Sequence, residues 1–252
     1  MDNTINLIKA VQTKLNLVSD GVAGPVTWKA IASQLGVVLP IETLSAITIS
    51  DAAYALIIKY EVGGGRQYYN SQLKSPEFPG GSSGVTIGIG YDLRFSSAQQ
   101  FESDWKSLLS SEVYTTLLTQ LGKSGLAAKA VITSLKNISI PWESAELVFK
   151  NRDIPRYIKE TITSFPGSDK LKQDAFGALV SLVFNRGGSV IGDSHREMLN
   201  IRDAISGKIK VDNIYDYISQ QIVSMKRLWI NSHMQGLLDR RDEEAALVKS
   251  CQ

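Results

Sequence analysis

Eight of the chain's 20 glycines fall between residues 63 and 90, at positions 63, 64, 65, 80, 81, 84, 88 and 90. Glycine weakens a helix interior by about 0.5–1 kcal/mol relative to alanine, so no helix runs through this stretch. It has to be loop and hairpin. Val85, Ile87, Ile89 and Tyr91 alternate there with Thr86, Gly88, Gly90 and Asp92, the period-two signal of a strand. A straight strand would place Thr86 and Asp92 on one face about 20 Å apart. The two side chains come together only if the chain bends at Gly88 or Gly90, as glycine permits.

Helical spacing dominates on both sides of this stretch. Ser50 reads as an N-cap, with Ala53, Leu56, Ile57 and Tyr60 following at helical intervals up to Gly63. From Ser96 onward the pattern is helical again. Ala175 to Phe184 is apolar on nearly every side and predicts a buried central helix, ended by Asn185-Arg186-Gly187-Gly188. Ile214–Leu228 and Leu237–Val248 supply two amphipathic helices. The expected class is α+β, mostly α, with a Gly-rich β-hairpin.

The first 45 residues form a separate block. Ile5, Ile8, Val11 and Leu15 predict one amphipathic helix. A compact Gly-Pro loop follows, and Pro25 opens a second helix striped by Trp28, Ile31 and Leu35. Residues 37–49 read as a linker. The expected division is 1–45 and 46–252.

Composition excludes several classes. Lys and Arg total 27 against 25 Asp and Glu, a net charge of +2, too balanced for a dense basic nucleic-acid face. No run approaches the roughly 18 apolar residues of a membrane span. The start, MDNTINLIKA, has no apolar core of a secretory signal. The expectation is cytoplasmic synthesis, with any work in the cell wall or periplasm following release or export.

The chemistry narrows by elimination. The one cysteine, Cys251, lies next to the C-terminus in an expected frayed tail, which disfavours a thiol nucleophile. His195 and His233 are far apart, with no HExxH pattern for zinc. There is no GxSxG elbow, and Gly84-Val-Thr-Ile-Gly-Ile-Gly lacks the ending of a phosphate loop. Carboxylates remain, and carboxylate pairs cleave glycosidic bonds. Glu61 ends an apolar-striped helix, where the partial negative charge of the helix terminus and partial burial both favour the protonated form a general acid needs. An exposed helix-end glutamate is the plainer alternative. Glu77, between Pro76 and Pro79, is expected in an exposed, well-solvated loop.

Glu61 together with Pro79-Gly-Gly-Ser-Ser-Gly-Val-Thr-Ile-Gly-Ile-Gly-Tyr-Asp-Leu93 resembles the lysozyme-like muramidases of phages and bacteriocins. In these a Glu ends the first helix and a Gly-rich hairpin carries a Thr-Ile-Gly-Ile-Gly strand. Asp92 follows Thr86 by six residues, the order of the pesticin branch. The phage T4 lysozyme branch places its Asp before the Thr, where this sequence offers only Glu77. Phe176-Gly-Ala-Leu-Val-Ser-Leu-Val-Phe-Asn-Arg-Gly-Gly is similar to the family's central helix. Trp229 and Gly236-Leu-Leu-Asp-Arg-Arg-Asp-Glu-Glu resemble its closing motif.

The resemblance implies a lysozyme-like domain that hydrolyses the β-1,4 bond between N-acetylmuramic acid and N-acetylglucosamine, as an endolysin does. Glu61 would be the general acid, with Thr86 and Asp92 positioning or activating water. It makes Arg240 or Arg241 a candidate partner of Glu61; an Arg240–Glu244 pair on a helix surface is the alternative. No metal or organic cofactor is implied. The partner would be peptidoglycan, and the protein a monomer. The alternatives are an exported antibacterial effector with the same chemistry, or a wall-binding protein on a degenerate scaffold. In the first block Asp20, Gly21, Gly24, Pro25, Thr27 and Trp28 resemble the DGxxGPxTW motif of a peptidoglycan-binding domain, here short, with Trp28 expected to anchor its core.

Overall fold

The computed structural model describes residues 3–15, 17, 19, 21, 25–35 and 47–251. The chain divides into two compact units, Met1–Ile47 and Thr48–Gln252.

The first unit contains α1 (Asn3–Lys14) and α2 (Pro25–Gln34). Polar side chains join its parts. The Gln12 amide accepts from the Gly21 N–H at 2.8 Å and donates to Thr27 Oγ1 at 3.1 Å, and both side chains are buried. Successive helical residues point about 100° apart, so with Thr27 turned inward, Trp28 faces out and is 57% exposed. The expected core anchor is therefore a surface residue. Ile5, Val11 and Leu35 are exposed too, so the expected apolar stripes do not close into a core among the described residues. Asp20 and Gly24 of the motif, and most of the expected linker, lie outside the described residues.

The second unit is mostly helical with one small antiparallel sheet. Helix α3 (Asp51–Glu61) starts at Ser50, whose hydroxyl accepts the Ala53 N–H at 3.1 Å. It stops because Gly63, Gly64 and Gly65 all take positive φ, which side-chain-bearing residues rarely adopt. A single turn, α4 (Arg66–Tyr68), leads to the hairpin, β1 (Thr86–Ile87) and β2 (Tyr91–Asp92). Then follow α5 (Ala98–Trp105), α6 (Ser111–Leu118), α7 (Gly125–Leu135), α8 (Trp142–Val148), α9 (Ile154–Ser164) and α10 (Gln173–Arg186), and finally α11 (Arg196–Ile205), α12 (Ile214–Ser224) and α13 (Gln235–Lys249).

Helix α10 is central, with every residue from Ala175 to Val183 buried. Its apolar side chains pack with those of α11, α12 and α13 in one cluster. Cys251 belongs to that cluster and is 4% exposed, so the expected frayed tail is instead packed. On the other face α10 meets α3 closely. A Cβ on Gly177 would lie 2.2 Å from the Ala53 Cβ, so only glycine permits this approach.

The segment from Val85 to Asp92 is two short strands, not one long one. Thr86 pairs with Asp92 and Ile87 with Tyr91, with the reversal at Gly88-Ile89-Gly90. Glu77 adds a third rung, exchanging backbone hydrogen bonds with Thr86 at 2.8 and 2.9 Å. Tyr91 locks the hairpin onto α5, edge-on to Trp105 at 5.4 Å and donating its hydroxyl proton to Asp104 at 2.9 Å.

Gly88 has φ +59° and Gly90 has φ +71°. A Cβ on Gly88 would also meet Trp105 at 3.0 Å and Ala145 at 3.3 Å, whereas one on Gly90 would meet nothing within 4 Å. Both Gly→Ala changes strain the backbone by about 1–3 kcal/mol, and only Gly88→Ala adds overpacking of about 1–3 kcal/mol. The expected outcome is a clearly lower chemical-denaturation midpoint for Gly88→Ala than for Gly90→Ala.

Candidate active site

Glu61 is the last residue of α3, and its side chain is 27% exposed. Its carboxylate accepts from Arg240 Nη1 at 2.8 Å. The contact joins residues 179 apart in sequence, one at each end of the second unit. Arg240 itself is buried on α13, so the cation stands where the α3 terminus gathers partial negative charge. Of the two arginines that the muramidase resemblance offers as partners of Glu61, Arg240 is the one that meets it.

Both alternatives for Arg240 hold at once. Besides Glu61 it meets Glu244 Oε1 through Nε at 3.2 Å, and that pair is buried, not a surface pair. Arg241 takes a different role. It donates to Glu244 Oε1 at 2.8 Å and lies over the Trp229 ring, with its centre 5.9 Å away. Among the described residues no bond joins Arg241 to Glu61. Burial lowers the pKa of the Arg241 guanidinium, with Glu244 opposing the shift.

Two further groups, neither among the expected site residues, stand around the Glu61–Arg240 pair. Ser181 of α10 bonds Arg240 through its hydroxyl and its carbonyl. One signal pointed to it: Ser181 is the polar member of the run Ala175 to Phe184. Tyr157 of α9 packs its ring against Phe184, tilted by 41° with centroids 4.2 Å apart. Burial raises the Tyr157 phenol pKa, Arg156 lowers it, and Asp153, Glu160 and Glu61 add smaller upward pushes. The Glu61 carboxylate is thus within electrostatic reach of that phenol. No sequence spacing links residue 157 to residue 61.

The hairpin brings the remaining candidates together. Residues directly opposite in antiparallel strands present side chains to one face, so Glu77, Thr86 and Asp92 form a row. The bend at Gly88 and Gly90 removes the 20 Å separation of a straight strand. Asp92 is engaged at both oxygens: Oδ1 accepts the Arg94 N–H at 2.9 Å, Oδ2 accepts the Gly84 N–H at 3.2 Å, and Arg94 Nη2 lies 3.3 Å from Oδ2. The carboxylate packs so tightly that a Cβ on Gly84 would stand 2.2 Å from it.

Glu77 is the opposite case. It is half-buried with its backbone fixed to Thr86, so the expectation of a loose, well-solvated loop acid does not hold. Pro76 beside it is buried as well. Among the described residues its carboxylate has no partner, and burial raises its pKa above the ordinary glutamate value. Thr86 is buried, and its hydroxyl makes no hydrogen bond among the described residues. No bond among the described residues links this row to Glu61 or Arg240, and no group of three or more His, Cys, Asp or Glu is arranged to hold a metal ion.

Residues 58–160 match a family described as a domain of unknown function (DUF8812). The match spans Glu61, Glu77, Thr86 and Asp92 and stops before Arg240. No curated protein matches the chain.

The raised Glu77 pKa fixes the sign of a stability effect. A carboxyl whose folded-state pKa lies above its unfolded value stabilises the fold at low pH and loses that contribution as pH rises through the folded value. Glu77→Gln is therefore expected to be more stable than the native chain at pH 7, with the two converging below about pH 4.5. Thermal melts across that range measure it.

Proposed function

We propose that the second unit is a lysozyme-like muramidase that cleaves the β-1,4 bond between N-acetylmuramic acid and N-acetylglucosamine in peptidoglycan. The observation that carries this reading is the 2.8 Å contact between Glu61 and Arg240. The muramidase resemblance rests on a glutamate at the end of one helix and on an arginine-bearing closing motif far along the chain, and these two meet in one ion pair. Glu61 would protonate the leaving glycosidic oxygen while water attacks the anomeric carbon from the hairpin side.

On that side the row Glu77–Thr86–Asp92 offers two carboxylates. Activating a water requires a lone pair that is not already committed. Three donors already hold the Asp92 carboxylate in a structural role, whereas Glu77 keeps its whole carboxylate unpartnered on the sheet face it shares with Thr86. These contacts favour Glu77 with Thr86 as the water-activating pair and Asp92 as the brace that holds the hairpin. This reverses the order expected from the Thr86-to-Asp92 spacing.

The first unit would serve as a short peptidoglycan-binding module, with exposed Trp28 available to a sugar face. In this reading the protein acts as a phage-type endolysin on the cell wall, as a monomer. No described helix is long and apolar enough to cross a membrane.

Glu61→Gln is expected to reduce release of reducing fragments from purified peptidoglycan by about 10²–10⁴-fold, the usual cost of losing a proton donor, in a chain that still folds but melts lower because Arg240 loses its partner. Mass spectrometry of native digests is expected to show new reducing ends on N-acetylmuramic acid. In the same assay Glu77→Gln is expected to be inactive and folded, and Asp92→Asn partly active and less stable. Lysis by Glu61→Gln within tenfold of the native level would remove the general acid.

A further inference from the structure

The Glu61–Arg240 pair is the outer edge of a larger buried cluster. Arg240 turns its remaining N–H groups inward. Nε lies 3.2 Å from Glu244 Oε1 and 3.3 Å from Ser181 Oγ. Nη2 donates to the Ser181 carbonyl and hydroxyl oxygens, each at 3.1 Å. The Ser181 hydroxyl donates to Glu244 Oε1 at 2.6 Å, and Arg241 Nη2 donates to the same oxygen at 2.8 Å. The Arg240 side chain is 3% exposed, and those of Arg241 and Glu244 are 0% exposed.

A buried ion cluster is a weak way to stabilise a fold, because desolvation cancels most of its attraction. It is a good way to fix a planar guanidinium, whose donors form a rigid fork. With Nε and Nη2 held from inside, Nη1 is the edge left to face Glu61. The charges are equally directional. Two guanidiniums share one internal carboxylate, so one positive charge is left over, and it is presented to Glu61.

We propose that Glu244 and Ser181 are positioning residues for the general acid. They fix the Arg240 fork and set how much positive charge faces Glu61, and so the pH range in which Glu61 holds the proton it donates. The proposal rests on the reading of Glu61 as the acid. Other charged groups around Glu61 are engaged elsewhere. On α3, Lys59 and Tyr60 both bond Glu243, and the Tyr60 ring lies 5.4 Å from the Arg240 guanidinium. From α10, Arg186 acts on Arg241 only through space. From α9, Tyr157 lies within electrostatic reach of Glu61 and of Glu160. Among the described residues, Glu244 is the carboxylate bonded to both arginines.

The test is the pH profile of peptidoglycan hydrolysis by the full chain. Glu244→Gln keeps the shape and removes the charge, leaving both guanidiniums uncompensated toward Glu61. The high-pH limb of activity is expected to move down by about one pH unit. Arg240→Gln removes the cation and is expected to move the same limb up. A uniform loss of activity with an unmoved limb in folded Glu244→Gln would reduce Glu244 to a packing role and overturn the proposal. If Glu244→Gln does not fold, Ser181→Ala decides. It loses the hydroxyl link and keeps the carbonyl bond to Arg240, and kcat is expected to fall about 10–10²-fold at unchanged KM. An unchanged kcat overturns the proposal. Full activity in Glu61→Gln would instead remove the general acid itself, whereas inactive Glu61→Gln with unaltered Glu244→Gln and Ser181→Ala would remove only the positioning role.

Discussion

One carboxylate oxygen, Glu244 Oε1, accepts from three side chains, and through them it ties together the helices that carry the site. Arg240 and Arg241 stand four and three residues before it on α13, the spacings that bring side chains to one helix face. Ser181 reaches it from α10. Arg240 then extends the network to α3 through Glu61. Beneath this polar layer Ala245 and Val248 of the same helix enter the apolar cluster of α10, α11 and α12. Charge at this depth is tolerable only because each ion has a partner, and removing one partner of such a pair commonly costs about 3–5 kcal/mol.

The hairpin is held by a different logic. Its strands are two residues long, so ladder hydrogen bonds alone could not keep it in place. It is instead pinned at both ends. Tyr91 packs against Trp105 and bonds Asp104 on one side, and the Asp92 carboxylate grips two backbone N–H groups on the other. In the row across the sheet the two acids have contrasting surroundings. One is held by three donor contacts and serves the backbone. The other is half-buried and unpartnered, the less stable arrangement that functional sites commonly retain.

Much of this was legible in the sequence because it is local. Ser50 as a cap, the stop at Gly63 and the burial of Ala175 to Val183, one residue short of the expected run, all follow from spacing and backbone chemistry within a few residues. The hairpin was legible in kind, but its reversal was not: Val85 to Tyr91 carries a strand's alternation, and only the pairing of Thr86 with Asp92 shows the chain folding back. Glu77 was misjudged for a related reason. Two neighbouring prolines suggest a solvated loop, whereas the rung to Thr86 that fixes Glu77 depends on a residue nine positions away. Trp28 departs from the expected core position because its neighbour Thr27 turns inward to meet the buried Gln12 amide. The partner of Glu61 was narrowed to two adjacent arginines, and nothing in one dimension could say which of them turns toward it.

The contact between Gly177 and Ala53 works as a fulcrum. Ala53 lies eight residues before Glu61 on the same helix, about 12 Å along its axis. A tilt of α3 by about 5° about that point would carry the Glu61 carboxylate roughly 1 Å sideways, a displacement that can cost about a hundredfold in rate. The missing Cβ of one glycine on α10 therefore sets the direction of a carboxylate two helical turns away, so that, in the proposed reading of Glu61, alignment would be governed partly from a buried contact remote from the carboxylate itself.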